Sequence, residues 1–348
     1  CRVRAGVTHK CCGKNYEIPF KGWFMRIVIS QDNNKLYRSE LLAFDSSMEI
    51  IALNPLDCTN PDWETIPESD ALFMCYQFLF AARDNPDIHD ALLSLAKRMK
   101  FLQSGFAGMD APILQDILKI ENVHIANASS VYAIPIAHYV FSQILRWNKR
   151  IDHHIEYQQS KNWAPIAGDG ELTNKTLVIL GYGGIGTQVA KLGKAFGMRV
   201  TGIRRNPQDD EHADEVLGLD RFEELLPLTD YLVLALPDSP QTRDIINADI
   251  LEKLNTSAMI INVGRGTAIN EVDLADALNN EKIAAAALDT TKIEPLDTNS
   301  SLWTAKNCFI SAHDSAHSLL SLGRAFELFF HNIKNIKNSD RIINLYSE

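Results

Sequence analysis

The sequence predicts an α/β protein of two doubly wound domains, each built on a parallel β-sheet with helices on both faces. Three observations support this. The 348 residues suffice for about two domains, each with its own core. Short apolar runs alternate with helical patterns along most of the chain. In the second half, a glycine-rich segment joins a strand pattern directly to a helix pattern.

The first half of the chain contains the strand and helix patterns of one such domain. Helical patterns lie between apolar runs, as a parallel sheet requires. No phosphate-binding fingerprint occurs here, so this domain is expected to do something other than hold a nucleotide. The predicted strands are residues 26–30, 48–53, 71–75, 101–102 and 123–126, and the predicted helices are 89–99 and 111–119.

Residues 131–149 form the longest helical pattern, with more apolar residues than one face needs. We expect this helix either to be buried between the two domains or to form a subunit contact, as in a homodimer. His153 and His154 follow in a polar stretch. Adjacent histidines on a solvated segment are usually exposed, so no metal site is predicted there.

The glycine-rich segment has the sequence pattern of a dinucleotide clamp. An apolar strand, 177–180, precedes Gly181, Gly183 and Gly186, and a helical pattern follows before a second strand at 199–203. In such a unit the glycines permit a tight turn, close approach of the backbone to a pyrophosphate, and close packing of helix on strand. The phosphates meet the helix N-terminus, where free N–H groups favour an anion.

The rest of the second domain places three chemically notable residues after strand patterns. Arg265, Glu294 and His313 each follow one of them, and ligands of doubly wound sheets bind beyond the carboxyl ends of the strands. Each residue alone could be an ordinary surface or loop residue, but their convergence on one edge favours catalysis. The predicted strands are residues 231–236, 258–263, 284–288 and 308–311, and the predicted helices include 271–278 and 318–337.

Composition excludes several classes of partner. The formal net charge is −10 and no basic cluster occurs in the body of the chain, which argues against nucleic acid or anionic membrane as a partner. No apolar run approaches the ~20 residues needed to span a bilayer. The six cysteines have no disulfide-framework or C-x-x-C spacing, so a reducing, cytoplasmic location is predicted.

The domain boundaries follow from these patterns. Residues 1–24 carry five basic residues and one acid, and the strand pattern begins abruptly at Met25. We therefore expect 1–24 to be a leader or a translation artefact outside the fold, with a transit peptide as the less favoured interpretation. The substrate-binding domain is predicted at 25–126 with 317–348, and the dinucleotide-binding domain at 127–316.

The strand after the glycine loop indicates which dinucleotide is bound. NAD-dependent enzymes usually place an acid there for the ribose hydroxyls, whereas this strand leads to Arg204 and Arg205. Two guanidinium groups attract the 2′-phosphate of NADP, so NADPH is the predicted cofactor. Use of NAD, with both arginines merely solvated, remains the alternative.

Several ordered motifs resemble those of the D-isomer-specific 2-hydroxyacid dehydrogenase family from Met25 onward. The resemblance implies a flavodoxin-like substrate domain, a Rossmann dinucleotide domain, a branch of NADP-preferring glyoxylate/hydroxypyruvate (2-oxoacid) reductases, and a catalytic trio of Arg265, Glu294 and His313. It also implies that the backbone N–H groups of Phe106, Ala107 and Gly108, with Arg265, bind the substrate carboxylate. The matching segments are QSGFAGMD (103–110), the glycine fingerprint, LPDSPQT (236–242), INVGRG (261–266), ALD to EPL (287–296) and residues 307–313.

Some residues depart from the family pattern and change the expected shape of the site. Ala312 stands where proline is usual, Thr290 and Thr291 where valine and phenylalanine are usual, and His138 where glutamate is common. Residues 314–316 are also altered.

The predicted cofactor-binding residues are Gly181, Gly183, Gly184, Ile185, Gly186, Arg204, Arg205, Asn206, Leu236, Pro237, Val263, Gly264, Asp289 and Ser315.

The predicted function is NADPH-dependent reduction of a small 2-oxoacid such as glyoxylate or hydroxypyruvate. Two alternatives are NAD-dependent oxidation of a D-2-hydroxyacid and a dinucleotide-sensing regulatory protein of the same fold. His313 and His317 are spaced as zinc ligands on a helix can be, but no third ligand is evident and no metal is predicted. The substrate side chain is expected near Tyr76, Gln77, Phe106 and Trp303.

Overall fold

The computed structural model describes residues 24–57, 62–166 and 170–346. The chain divides into two units. The first comprises the described residues up to Val131 together with those from Leu319 onward, and the second spans Tyr132–Ser318. The predictions for the N-terminal segment, and those for Cys1, Cys11, Cys12 and Cys58, lie outside the described residues.

Twelve strands and twelve α-helices occur in the described ranges. The strands are β1 (Arg26–Ser30), β2 (Glu49–Leu53), β3 (Ser69–Met74), β4 (Met99–Ser104), β5 (His124–Ala126), β6 (Thr176–Leu180), β7 (Arg199–Ile203), β8 (Glu215–Leu217), β9 (Tyr231–Leu234), β10 (Met259–Asn262), β11 (Ala285–Leu288) and β12 (Cys308–Ile310). The helices are α1 (Gln31–Phe44), α2 (Asp62–Thr65), α3 (Tyr76–Asp84), α4 (Pro86–Ala96), α5 (Pro112–Ile117), α6 (Ser129–Asn148), α7 (Ile151–Gln159), α8 (Gly184–Ala195), α9 (Phe222–Leu225), α10 (Ala248–Lys253), α11 (Glu271–Asn279) and α12 (Leu319–Asn338).

The first unit contains a five-stranded sheet in the order β2-β1-β3-β4-β5, with every pair parallel. This is the flavodoxin-like order. The central strand β3 is buried along all six residues, which explains why its last four, residues 71–74, are all apolar. Helix α12 covers this sheet through Phe326 and Phe329, whose rings lie 5.5 and 5.2 Å from that of Phe73.

Two boundaries in this unit were predicted wrongly. The predicted helix 89–99 is α4, which begins at Pro86 behind the capping side chain of Asn85 and ends at Ala96. Strand β4 already begins at Met99 and extends beyond the predicted 101–102. The charged Lys100 interrupts the apolar pattern at this start, so the sequence predicts a strand only from residue 101. In the structure its ammonium pairs with Asp70 Oδ1 of the neighbouring strand β3 at 2.6 Å.

Helix α1 and strand β8 are among the elements without a prediction from the sequence, because their apolar patterns are weak. Helix α1 is held by its N-cap, Ser30, whose Oγ accepts the N–H of Asn33, and Leu41 is its fully buried side chain. Strand β8 has three residues and pairs with β7 alone, at the edge of the second sheet. Short edge strands carry too few residues for a period of two to be visible.

The second unit contains a seven-stranded parallel sheet in the order β12-β11-β10-β9-β6-β7-β8. The strand order reverses beside β6, as in Rossmann sheets. Strands β9, β10 and β11 are buried along their whole length, which again accounts for their apolar sequences. Both wholly parallel sheets confirm the predicted fold class.

Helix α6 is buried by packing within the second unit, which its sequence pattern did not indicate. Ile136, Val140 and Ile144 recur at intervals of four residues and belong to the same apolar cluster as Leu177 and Ile179 of β6. This face of α6 therefore packs on the second unit's own core.

Of the helices in the described ranges, none combines the length and apolar composition needed to cross a membrane.

Candidate active site

A histidine and a glutamate form a direct pair at the carboxyl edge of the second sheet. His313 follows β12, and its Nδ1 lies 2.8 Å from Oε2 of Glu294, in the loop after β11. The other carboxylate oxygen of Glu294 accepts the backbone N–H of Thr291 at 3.2 Å. Because Nδ1 is engaged by the carboxylate, the orientation of the ring is set and Nε2 is the ring nitrogen left to face a ligand.

The backbone of His313 is held in a left-handed conformation, with φ of 54°. Its N–H donates to the carbonyl of Asp289 at 2.8 Å. The Asp289 carboxylate is 1% exposed and accepts the hydroxyl of Ser311 at 2.7 Å and the N–H groups of Asp314 and Ser315 at 3.0 and 3.2 Å. Asp289 and Ser315, predicted to bind cofactor, therefore hold the histidine loop, and direct cofactor contact stays a prediction.

Arg265 lies in the loop after β10, on the same edge of the sheet. The buried side chain of Asn262 holds this loop on both sides: its Oδ1 accepts the N–H of Gly264 at 3.1 Å, and its Nδ2 donates to the carbonyl of Arg265 at 3.1 Å. Sequence reasoning did not single out Asn262. An uncharged polar residue at the end of a buried strand was the available signal.

The two glycines that flank Arg265 are required by close packing. A Cβ at Gly264 would lie 2.6 Å from the carbonyl oxygen of Leu236, and one at Gly266 would lie 1.9 Å from the carbonyl carbon of Thr291. The loops after β9, β10 and β11 therefore touch through backbone atoms. This contact brings the arginine loop against the loop that carries Glu294.

The glycine fingerprint adopts the geometry expected of a phosphate cradle. Gly181 has φ of +101°, and a Cβ there would lie 2.5 Å from the carbonyl oxygen of Ala235. A Cβ at Gly186 would lie 2.9 Å from the Gly181 oxygen, so helix and turn pack backbone to backbone. At Gly183 and Gly184, where α8 begins, a Cβ would meet open space. These residues fit a pyrophosphate at the helix N-terminus.

The remaining predicted cofactor residues lie around this cradle and along the same edge. Arg204 is half-buried directly after β7, and Arg205 and Asn206 are exposed. Ile185 and Leu236 are half-buried, Val263 and Gly264 are buried, and Pro237 is exposed.

Asp210, an acid that sequence reasoning missed, acts electrostatically on the same tyrosine as Arg204. The ring of Tyr182 covers Gly202, and its hydroxyl is buried. Burial raises the pKa of Tyr182, the Asp210 charge raises it further and the Arg204 charge opposes them. The charges of Asp210 and Arg204 therefore both act on this hydroxyl, in opposite directions. Asp210 comes six residues after Arg204, so it lies beyond the position after β7 where a ribose-binding acid is usually expected.

A cavity of about 470 Å³ adjoins the histidine–glutamate pair. Thr291 and Ala312, two of the departures from the family pattern, line it together with Leu296 and Trp303. The side chains of Thr291 and Ala312 are smaller than the phenylalanine and proline usual at these two positions. Among the described residues, no group of three side chains is arranged to hold a metal ion.

In the first unit, the loop after β4 carries the predicted carboxylate-binding amides. The N–H of Phe106 donates to Ser104 Oγ at 3.2 Å, and its carbonyl accepts from Ala128 at 2.7 Å. Within the described ranges, no hydrogen bond is recorded from the amides of Ala107 and Gly108. Tyr76 and Gln77 line a cleft of about 500 Å³ in this unit, beyond β1, β2 and β3.

Comparison with known proteins identifies the family. The model of the D-isomer specific 2-hydroxyacid dehydrogenase NAD binding domain matches residues 141–315, half of the chain. The chain belongs to the D-isomer specific 2-hydroxyacid dehydrogenase family. It is therefore an oxidoreductase that uses a nicotinamide dinucleotide, which confirms the predicted family, enzyme class and cofactor class.

Three relatives illustrate the similarity. The human glyoxylate reductase/hydroxypyruvate reductase is 33% identical over 221 residues, which are 62% of this chain and 67% of that protein. The glyoxylate reductase of Aeropyrum pernix is 32% identical over 267 residues, 73% of this chain and 76% of that protein. The crystal structure of a family member from Aeromonas salmonicida has a TM-score of 0.75 at 27% identity, covering 93% of this chain and 99% of that one.

Proposed function

We propose that this enzyme reduces a small 2-oxoacid, such as glyoxylate or hydroxypyruvate, to the D-2-hydroxyacid with NADPH. The observation that carries the proposal is the 2.8 Å contact between His313 Nδ1 and Glu294 Oε2 on the sheet edge that also bears Arg265. The human and Aeropyrum pernix relatives, named for reduction of glyoxylate, support this class of substrate.

The chain's own residues supply binding and proton transfer. When bound, the reduced nicotinamide supplies the hydride that the carbonyl carbon of the substrate accepts. The imidazolium of His313 donates its Nε2 proton to the developing alkoxide oxygen, so that a hydroxyl forms. Glu294 orients the ring, and the planar guanidinium of Arg265 binds the carboxylate and carbonyl oxygens through paired N–H groups.

The cofactor preference rests on Arg204 and Arg205, which follow β7 where the adenosine ribose is expected. A charge-assisted contact to the 2′-phosphate is worth about 1.5–3 kcal/mol, so we expect kcat/KM to favour NADPH by roughly 10- to 100-fold. The observation that favours the alternative, NAD-linked oxidation, is Asp210, since its negative charge acts on the same hydroxyl as the positive charge of Arg204. Asp210→Asn should raise the preference for NADPH if this carboxylate opposes the phosphate.

The test is a panel of 2-oxoacids with NADPH or NADH, followed by the absorbance of the reduced nicotinamide. Consumption of NADPH with glyoxylate or hydroxypyruvate, and a D-configured product, is the expected result. Equal kcat/KM for the two cofactors would refute the preference for NADPH but not the reduction of a 2-oxoacid. No turnover with any 2-oxoacid, despite tight cofactor binding, would refute the reductase and favour the sensor.

We also propose a cytoplasmic homodimer. The described cysteines, Cys75 and Cys308, are both free thiols, which is consistent with a reducing compartment. Ile151 and Ile155 lie one turn apart on α7 and are both exposed in the single chain. This is consistent with an apolar face that a second copy would cover in a dimer. Light scattering of the purified protein tests the dimer, and a monomer at micromolar concentration would refute it.

A further inference from the structure

A chain of hydrogen bonds links helix α6 to the loop that carries His313. The hydroxyl of Tyr139 lies 2.6 Å from Ser311 Oγ, and Ser311 donates to Asp289 Oδ1 at 2.7 Å. A serine hydroxyl has a single proton, and Ser311 donates it in the hydrogen bond to the carboxylate. Tyr139 is therefore the donor to Ser311, and the three groups form a directional chain that ends on a buried carboxylate.

The far end of this chain holds the histidine loop at three successive residues. The Asp289 carbonyl accepts the N–H of His313 at 2.8 Å, and its carboxylate accepts those of Asp314 and Ser315 at 3.0 and 3.2 Å. The main-chain carbonyl of Asp289 therefore fixes the backbone of His313, and its carboxylate fixes the two residues that follow. Because φ of His313 is 54°, the loop depends on such contacts to keep this conformation.

The near end of the chain is anchored on a rigid element. Tyr139 precedes Val140 and Phe141, which are buried in the second unit's core. Burial, together with the charges of Asp289 and Asp314, raises the pKa of Tyr139 to about 12, although the hydrogen bond to Ser311 opposes this. The hydroxyl therefore keeps its proton at neutral pH and remains a donor.

We propose that Tyr139 is a positioning residue for His313, acting through Ser311 and Asp289. It keeps the imidazole in place for proton transfer without touching substrate or cofactor. The inference rests on the proposed role of His313 as proton donor. Without the tyrosine hydroxyl, Ser311 is free to rotate away from the carboxylate, the loop loses its fixed end, and the productive orientation of His313 is populated less.

The first test is Tyr139→Phe, measured by steady-state kinetics with NADPH and the best 2-oxoacid of the panel. Loss of one neutral hydrogen bond should lower kcat roughly 3- to 10-fold, while KM for NADPH changes less than about 2-fold. Ser311→Ala should lower kcat at least as much, and Ser311→Thr, which retains the hydroxyl, should restore it. A merely structural role does not predict this rescue.

A matched control is available on the same helix. Tyr231 opens β9 at the opposite end of the sheet, and its hydroxyl accepts the side-chain amide of Asn148 of α6 at 3.2 Å. Tyr231→Phe therefore also removes a tyrosine hydroxyl bonded to α6, but far from the histidine loop. We expect it to leave kcat within about 2-fold of wild type. Melting temperatures of both variants show whether kcat follows stability.

A double-mutant comparison decides whether Tyr139 acts through His313. If it does, Tyr139→Phe has no further effect on the residual rate of His313→Ala. The inference is overturned if Tyr139→Phe leaves kcat unchanged, or if it lowers the rate equally in both backgrounds. Retention of full activity by His313→Ala would instead overturn the proposed proton donor, so the two failures are distinguishable.

Discussion

Replacing Glu294 by glutamine removes the charge behind His313 with little change of shape. Glutamine can still accept from Nδ1 through its carbonyl oxygen, so the 2.8 Å contact can persist as a neutral hydrogen bond. A hydrogen bond to a charged group is worth about 1.5–3 kcal/mol and a neutral one about 0.5–1.5 kcal/mol, so the substitution loses about 1–1.5 kcal/mol. The two side chains are 42% and 40% exposed, and solvent screening places the loss near the lower end. We therefore expect kcat to fall roughly 3- to 10-fold.

The assay is steady-state reduction of glyoxylate or hydroxypyruvate by NADPH, with dissociation constants for NADPH measured separately by fluorescence. Binding of the cofactor should be unchanged, because Glu294 lies in the loop after β11 and not in the glycine cradle after β6. Loss in kcat with retained cofactor affinity supports the orienting role. If Glu294→Gln keeps kcat within about 2-fold of wild type, the carboxylate charge has no part in proton donation.

Three further outcomes are expected. Arg265→Lys should raise KM for the 2-oxoacid about 10-fold or more, since lysine lacks the planar fork, and an unaltered KM in the same assay would make the arginine structural. Gly266→Ala should lower the melting temperature and activity together, because its Cβ would lie 1.9 Å from the Thr291 carbonyl carbon; a wild-type melting curve would contradict this. A hydrogen bond from Lys337 lowers the pKa of Asp45 from 3.8 to about 2, so this pair stabilises the fold above about pH 4 and the contribution disappears as pH falls to about 2. Acid unfolding of Asp45→Asn, followed by circular dichroism, should therefore be less steep over that range, and an identical pH profile would argue against it.

The amino-acid sequence by itself determined the fold class, the family and the glycine cradle. Burial of a parallel sheet on both faces demands continuous apolar runs, and these are visible along the chain without any tertiary information. The cradle could be predicted because Gly181, Gly183 and Gly186 act within a single turn. Arg265, Glu294 and His313 could be proposed because the carboxyl ends of parallel strands share one edge.

Only the tertiary structure decided how the histidine is held and what lies beside the arginines. Tyr139 and Ser311 are 172 residues apart in sequence, yet their hydroxyl oxygens are 2.6 Å apart. That distance depends on how α6 packs on the sheet, and no local period records it. The charge of Asp210 acts on Tyr182 because of the path of the loop after β7, and the start of β4 depended on pairing of Lys100 with Asp70. Periodicity reports which face of an element is buried, whereas polar contacts between distant segments exist only once those elements have packed.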